Sequence, residues 1–494
     1  MKTAGLDIGT TGCKCTVFDE AGDFLGTAYR SYPTQQEGGR RTVDAVRIEE
    51  AVFAVLAEMA GRFPDIGGIG VTSFGETFVA VDREGIPLAS AMLYTDERGT
   101  KECDELVGHL GQRRIFCLTG LRPHPMYSIS KLMWLFRNRE KLREKTARIF
   151  LIQDYIVYRL TGQRQIDFSL ASRTMAFDIH RLEWSHEILK AAGIDEELFS
   201  KPVPSGTVAG PLLPSAAERI GLRRETLVVS VSHDQIAAAV GAGALNGDEA
   251  AEGAGTVECV TPVFRQKPDF DVLFANNFSV VPYAVPGMWA AYAFSYTGGA
   301  LIQWCVNALA KEEKRLARET GLSVNEFLEG KSKSPTGLLV LPHFAGAATP
   351  YMDEGSKGAI LGLTTASTVA DLYRGCMEGV AYEMYLNLLA LSAAGIRFER
   401  LLATGGGARS AEWVQMKADV TDLPVTVLET ADAGTTGCAM LTGKALGNFG
   451  TLQEAAACMV REGKTFLPRK EMHGKYQELF ERYRNVYSAV RPLV

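Results

Sequence analysis

The chain opens on a two-residue rhythm. "TAGLDIG" (3–9) is apolar with one acid, and "CKCTVFD" (13–19) alternates with period two. This predicts strand, tight turn, strand, and "AGD" (21–23) turns into a third strand, "FLGTAYRSYP" (24–33). The period then lengthens. Across 44–61, Ile48, Val52, Val55, Leu56 and Met59 fall near one face of a helix. "IGGIGVTSF" (66–74) reads as a buried strand, and "FVAVDREGIPL" (78–88) as strand, turn, strand around Asp82 and Gly85. Residues 128–146 and 150–161 carry helical spacing, whereas 200–226, rich in Pro, Gly and Ser, reads as connecting loops. "TLVVSVSHD" (226–234) is a buried strand with a polar end, and "QIAAAVGAGAL" (235–245) a helix of small residues.

The second half repeats this plan. A strand and Gly-Thr turn occupy 253–263, a strand 337–344, and long helices 367–394 and 409–422. Between those helices "LLATGGGARS" (401–410) runs from a strand into glycines, and 473–489 is a charged terminal helix. Two halves that each begin with a Gly-Thr turn between strands suggest a duplication. At 494 residues the chain exceeds one ordinary core, and the change of character near 245 predicts domains at 1–245 and 246–494.

Composition narrows the class. Hydrophobic residues make up 46%, charged residues 22% and the net charge is −6, which fits a globular protein and argues against a dedicated nucleic-acid binder. Asp7 interrupts any leader core, and "YEMYLNLLALSAAG" (382–395) carries polar residues and stops short of a membrane span. Nine scattered cysteines do not suggest a disulfide scaffold; a reducing cytoplasm is the expected compartment, with no membrane partner.

The stretch "GLDIGTTGCKC" (5–15) invites two readings that fail. A Walker loop needs Gly-Lys-Ser/Thr between strand and helix, but here the spacing is wrong and a strand follows. Zinc needs four ligands, and Cys13 and Cys15 have no nearby partners; alternation points both to one face, so they are expected in the core. What remains is Asp-x-Gly-Thr-Thr-Gly in a hairpin. Gly9 lets the backbone approach a phosphate, Thr10 and Thr11 add hydroxyls, and Asp7 is placed to hold Mg²⁺ through water. A plain hairpin turn is the competing reading. "GAGT" (253–256) offers a second such loop, and "TGGGARS" (404–410) a third at a helix start, where the dipole favours anions. "DAGTTG" (432–437) is a fourth small-residue stretch, suited to a flat base. Asp234 ends a strand and begins a helix; on that evidence alone it is an N-cap.

In this order the motifs resemble the FGGY carbohydrate kinases, of the actin and hexokinase superfamily. "MYSISKLMWLFRN" (126–138), with Lys131 and Trp134, is similar to the first family signature. "GAILGLTTASTVADLYRGCME" (358–378) is similar to the second, with Gly375 where Ala or Ser is usual. The resemblance implies an α/β fold of two ribonuclease-H-like, actin-like ATPase domains flanking a catalytic cleft, the first binding sugar and carrying the base, the second binding ATP. It implies Mg²⁺ and ATP as cofactors, a small-molecule sugar as substrate, and a possible homodimer. Asp234 is then the base that takes the proton from the sugar hydroxyl, a role suited to phosphoryl transfer.

The resemblance further implies substrate contacts at Glu76 and Thr77 in "SFGET", at Asp96 and Arg98 in "TDER", and at His233 and Gln235 beside the base. Arg98 reads equally as a brace for its own loop, and His233 equally as a packed histidine. Lys131 and Trp134 read as holding a helix. ATP contacts are implied at Gly9, Thr10, Thr11, Gly255, Thr256, Gly298, Gly299, Gly405, Gly406, Gly407 and Ala408, and the metal contact at Asp7. The substrate expected is a ketopentose or ketohexose of the xylulose, ribulose or fuculose type, with polyols and sugar acids as the alternative. An actin-like ATPase or a sugar sensor is the rival outside that class.

Overall fold

The protein is described here by a computed structural model covering residues 1–333, 335–429 and 432–494. By contact it divides into two units. The first holds Met1–Leu245, Ser279–Ala290 and 432–461; the second holds Asn246–Phe278, Ala291–Glu429 and Glu462–Val494. A single cut at 245 differs from this division at two places, where later segments return to the first unit.

In the first unit β1 (Lys2–Ile8), β2 (Gly12–Phe18) and β3 (Phe24–Ser31) form the antiparallel meander that the alternation predicts. Cys13 and Cys15 are both buried, and no disulfide is present among the described residues. Helix α1 (Ala45–Arg62) is capped by the Asp44 carboxylate, which accepts from the Val46 N–H, and it buries Ile48, Val52, Val55, Leu56 and Met59 as it packs on β2 and β3. β4 (Ile66–Ser73) then lies parallel to β1. Helix α2 (Ser128–Asn138) carries the first signature, and a short strand, Arg148–Leu151, precedes the helix that begins at Ile152.

Residues 200–226 are not loops throughout. They contain β5 (Thr207–Pro211) and α3 (Pro214–Ile220). β5 pairs antiparallel on β6 (Leu227–His233), at the end of the sheet. An edge strand satisfies only one ladder, so Gly210 and Pro211 are tolerated there, and Pro214 sits in the first helical turn, where no N–H is required. β6 is parallel to β4 and leads straight into α4 (Asp234–Gly241). The order across the sheet is β5-β6-β4-β1-β2-β3. The three parallel strands therefore end at the same edge. That edge receives Gly9–Thr11, Gly75–Thr77 and His233–Gln235.

The second unit repeats this succession. β7 (Glu249–Ala254) and β8 (Glu258–Phe264) form a hairpin, and β9 (Trp289–Ser295) runs beside β8. Helix α5 (Gly299–Ala308) follows β9, and α6 (Val369–Ala393) is the long predicted helix. β10 (Arg400–Thr404) lies parallel to β7, as β4 does to β1. Helix α7 (Ala411–Thr421) leads to β11 (Val425–Leu428), parallel to β10, and β12 (Glu462–Phe466) closes the edge antiparallel. Each unit is thus a hairpin flanked by parallel strands and an antiparallel edge, the ribonuclease-H-like plan expected.

The stretch 432–437 is not open to a flat base along its length. It begins a returning helix, Ala433–Ala445, which packs on α4 and β1 inside the first unit. A Cβ at Gly437 would overlap the Ala237 carbonyl oxygen, and one at Gly241 the Ala433 carbonyl oxygen. Glycine on both helices is what lets their backbones touch. Among the described residues, no helix is long and apolar enough to cross a membrane.

Candidate active site

Asp234 stands where β6 becomes α4, and its side chain is 28% exposed. Its Oδ1 accepts from its neighbours on both sides: the Gln235 N–H at 2.6 Å and His233 Nε2 at 3.0 Å. His233 is buried, and burial together with the Arg173 charge lowers its imidazole well below the ordinary histidine range; its Nε2 lies against the carboxyl and orients it. Gln235 is exposed beside it. Burial, then the charges of Asp7 and Glu76, raise the Asp234 carboxyl to about 8, against the lowering effect of the Gln235 N–H and Arg173. A group held this far above the ordinary carboxylate range is a proton acceptor of useful strength.

Asp7, near the end of β1, is raised to about 7 by burial and by Asp432, with Lys14 opposing. Asp432 is the N-cap of the returning helix: its Oδ1 accepts from the Thr435 N–H at 2.9 Å, and its Oδ2 pairs with Lys14. So the lysine that is not a Walker lysine binds a carboxylate of that helix. The turn Gly9–Gly12 is closed by the Gly9 N–H on the Gly12 carbonyl at 2.9 Å. The Tyr32 hydroxyl donates to the Gly9 carbonyl from beneath, and the Tyr32 N–H donates to the Thr11 carbonyl at 3.0 Å. Thr11 is exposed and Thr10 half-buried.

Glu76 is buried with φ of +62°, an unusual backbone for a non-glycine residue. Its Oε1 accepts from Arg173 Nε at 2.6 Å and also pairs with Arg173 NH2, and the guanidinium lies 5.2 Å from the Tyr127 ring. Thr77 is buried, and its hydroxyl has no hydrogen-bond partner among the described residues. Tyr94, 40% exposed, feels the charges of both Glu76 and Asp234, which places it at the same edge.

Asp96 and Arg98 are occupied with each other. Arg98 donates to both carboxylate oxygens at 2.7 Å, and the Arg41 N–H fills Oδ2 further. Arg98 also lies 5.1 Å from the Trp134 ring. Buried Lys131 donates to the carbonyls of Asp96, Arg98 and Pro125 at 2.7, 3.3 and 2.7 Å. The first signature therefore clamps the Asp96 loop, as the structural reading of Lys131 and Trp134 expects.

The implied nucleotide residues of the second unit come together around the β7–β8 turn. Gly255 and Thr256 are exposed at its tip. The N–H groups of Gly298 and Gly299 donate to the carbonyls of Thr256 and Gly255 at 3.0 and 2.9 Å, so this pair braces the turn at the start of α5. Gly405 lies on the other side: a Cβ there would be 2.7 Å from the Ala254 carbonyl oxygen. Gly405 and Gly406 are exposed, Gly407 is half-buried and Ala408 is buried.

Residues 3–241 match the model "FGGY family of carbohydrate kinases, N-terminal domain", and residues 253–446 match the C-terminal domain of the same family. The chain belongs to the FGGY family of carbohydrate kinases. It is accordingly an ATP-dependent phosphotransferase acting on a carbohydrate hydroxyl. The xylulose kinase of Bacillus subtilis (strain 168) is 27% identical over 99% of this chain and 97% of its own. The gluconokinase of Bacillus licheniformis is also 27% identical, over 98% of this chain and 95% of its own. The crystal structure of xylulose kinase from Rhodospirillum rubrum matches the fold with a TM-score of 0.91 at 24% identity, covering 100% of this chain and 99% of that one.

Three residues of this FGGY kinase escape a reading of the sequence, and a fourth, Asp432, is read within a stretch suited to a flat base and not as a cap. Tyr32 lies twenty positions beyond the turn it pins, and nothing in its surroundings marks it. Arg173 is 97 residues from Glu76. Tyr94 sits beside the "TDER" motif without belonging to it. Asp432 alone had a usable signal, since Asp followed by Thr435 at the head of an apolar run is an N-cap pattern.

Proposed function

We propose that this kinase phosphorylates a hydroxyl of a ketopentose or related ketose, with Asp234 as general base. The observation that carries the reading is the Asp234 carboxyl itself, oriented by His233 and Gln235 and raised to about 8. Asp234 accepts the proton of the attacking hydroxyl as that oxygen bonds to the γ-phosphorus of ATP and the ADP oxygen departs. Glu76, held by Arg173, accepts hydrogen bonds from other hydroxyls of the sugar, and Tyr94 borders the same edge. The Gly9–Thr11 turn, pinned by Tyr32, presents hydroxyls and backbone to phosphate oxygens. Gly255–Thr256 and Gly405–Ala408 hold the nucleotide, with Gly298 and Gly299 as braces.

The acidic group fits a divalent cation. The Asp432 charge raises the proton affinity of Asp7, and the Asp7 charge raises that of Asp234; a cation would relieve that repulsion. Mg²⁺ is commonly held by one or two carboxylates and several waters. Asp7 is the residue that would hold it. When bound, Mg²⁺ supplies charge neutralisation for the phosphate oxygens.

Xylulose kinases among the relatives support the ketose reading. The sugar-acid reading has its own support in a gluconokinase of equal identity and in the Arg173 guanidinium beside Glu76. The test is ADP release measured with ketopentoses, ketohexoses, sugar acids and polyols, for the wild type and Asp234→Asn. The highest kcat/KM on a ketopentose is expected. A sugar acid or polyol preferred over every ketose overturns the substrate class, and full activity in Asp234→Asn overturns the base.

A further inference from the structure

A cluster of charge lies beneath the nucleotide loops of the second unit. Lys417, on α7, is 1% exposed; Glu252 and Glu258 are 0% and 3% exposed. Lys417 Nζ donates to Oε1 of both glutamates and lies 4.5 Å from the Trp413 ring. Each glutamate keeps a buried Oε2 with no partner among the described residues. One proton held between the two carboxyls supplies both, leaving one carboxylate, one carboxylic acid and one ammonium, a neutral set. Burial and the Glu252 charge push Glu258 up, whereas Lys417 holds Glu252 down, and the one proton belongs to the pair.

The position of the cluster is what gives it a use. Glu252 pairs with Val260, and Ala254 with Glu258, across the β7–β8 hairpin, so Glu252, Ala254 and Glu258 share one sheet face. The two glutamates thus bracket the Gly253–Val257 turn, one on each strand. Ala254, between them, is the residue against which Gly405 closes. A Cβ at Gly407 would meet the Ala254 side chain at 2.7 Å and the Trp413 ring at 2.9 Å. The Trp413 backbone N–H donates to Ser410 Oγ at 3.1 Å, the N-cap bond of α7 just after that loop. One ammonium therefore joins both strands of the turn to the helix that follows the glycine loop. An apolar trio of the same volume packs at least as favourably as a buried ion triad, so stability alone does not call for the charges. What they add is direction, because each bond fixes a strand end against the helix.

We propose that Lys417, Glu252 and Glu258 are positioning residues for ATP, locking the Gly253–Val257 turn and the Gly405–Ala408 loop into the one arrangement in which both grip the nucleotide. The inference rests on the reading that these loops hold ATP.

The test is the affinity of the full-length protein for ADP, by titration calorimetry, at a temperature where circular dichroism shows each variant folded. Lys417→Met removes the ammonium and Glu252→Ala one of its two strand anchors, and each is expected to weaken ADP binding at least tenfold. Glu258→Gln keeps the Oε1 acceptor for Lys417 and leaves a neutral set with Glu252 ionised, and is expected to bind within about threefold of wild type. Gly406→Asp tests the underlying site: a Cβ there meets nothing within 4 Å, so its added charge acts on the ligand alone and should abolish binding. Wild-type ADP affinity in a folded Lys417→Met or Glu252→Ala overturns the proposal. So does a Glu258→Gln that keeps its bond to Lys417 and still binds as poorly as Glu252→Ala, and this arm decides even where Lys417→Met does not fold. If Gly406→Asp binds ADP normally, the nucleotide site itself is misplaced.

Discussion

Asp234→Asn should produce an enzyme that is nearly inactive and more stable than the wild type. Asn keeps an oxygen where Oδ1 accepts from His233 and Gln235, so the side chain retains its orientation. It loses only the ability to take a proton. Loss of a general base costs about 10²–10⁴-fold in turnover, or roughly 3–5 kcal/mol of barrier. The stability effect has the opposite sign. The carboxyl is raised from 3.8 to about 8 in the folded protein, so folding penalises its ionised form. The penalty is absent below the unfolded value, grows as pH rises from there, and is complete above about 8. Four units at about 1.4 kcal/mol each set its upper bound; with 28% of the side chain in solvent, on the order of 3–5 kcal/mol is expected. Asn carries no charge and escapes it.

The assay is thermal unfolding of wild type and variant without nucleotide or Mg²⁺, across pH 5 to 9, beside ADP release with the best sugar. The variant should gain on the wild type as pH rises, reaching on the order of 5–10 °C at alkaline pH for a unit of this size. A difference in Tm that is the same at pH 5 and pH 9 refutes the charge-crowded site. Turnover within tenfold of wild type refutes the base.

Three further outcomes follow from neighbouring contacts. Asp7 is raised to about 7, so its protonated form accumulates below that pH and the Mg²⁺ concentration needed for half-maximal rate should climb there; Asp7→Asn should flatten this dependence, and an unchanged Mg²⁺ response removes Asp7 from the site. Arg173→Met leaves Glu76 buried without its guanidinium, so about 3–5 kcal/mol of stability and at least tenfold in sugar KM should be lost, with ATP KM unmoved; a normal sugar KM would separate Glu76 from the substrate. Gly437→Ala forces the returning helix off α4 and should cost about 1–3 kcal/mol in denaturant unfolding, whereas an unperturbed midpoint would deny the close helix contact.

The sheet of the first unit was legible because its strands announce themselves. β1 to β4 alternate or run apolar, and α1 shows its buried face at helical spacing. The chain at 200–226 misled because Pro and Gly mark loops on average, yet an edge strand and a first helical turn accept both. The same limit governs the site. Asp7, Glu76 and Asp234 sit at the ends of three strands, and strand ends can be read locally; their convergence follows once β6, β4 and β1 are known to be parallel neighbours. What sets their chemistry is not local. Arg173 reaches Glu76, Tyr32 reaches Gly9 and Asp432 reaches Lys14 across separations of 97, 23 and 418 residues. Arg173 and Tyr32 are single polar residues whose neighbours carry no pattern, and the cap pattern at Asp432 says nothing of Lys14, so no window along the chain contains the information. Lys417 is the sharpest instance. In sequence it is a lysine inside a helix, expected on a solvated face; only the register of β7 on β8 and the closeness of Gly407 to Trp413 turn that face inward, onto two glutamates that the turn itself brought together.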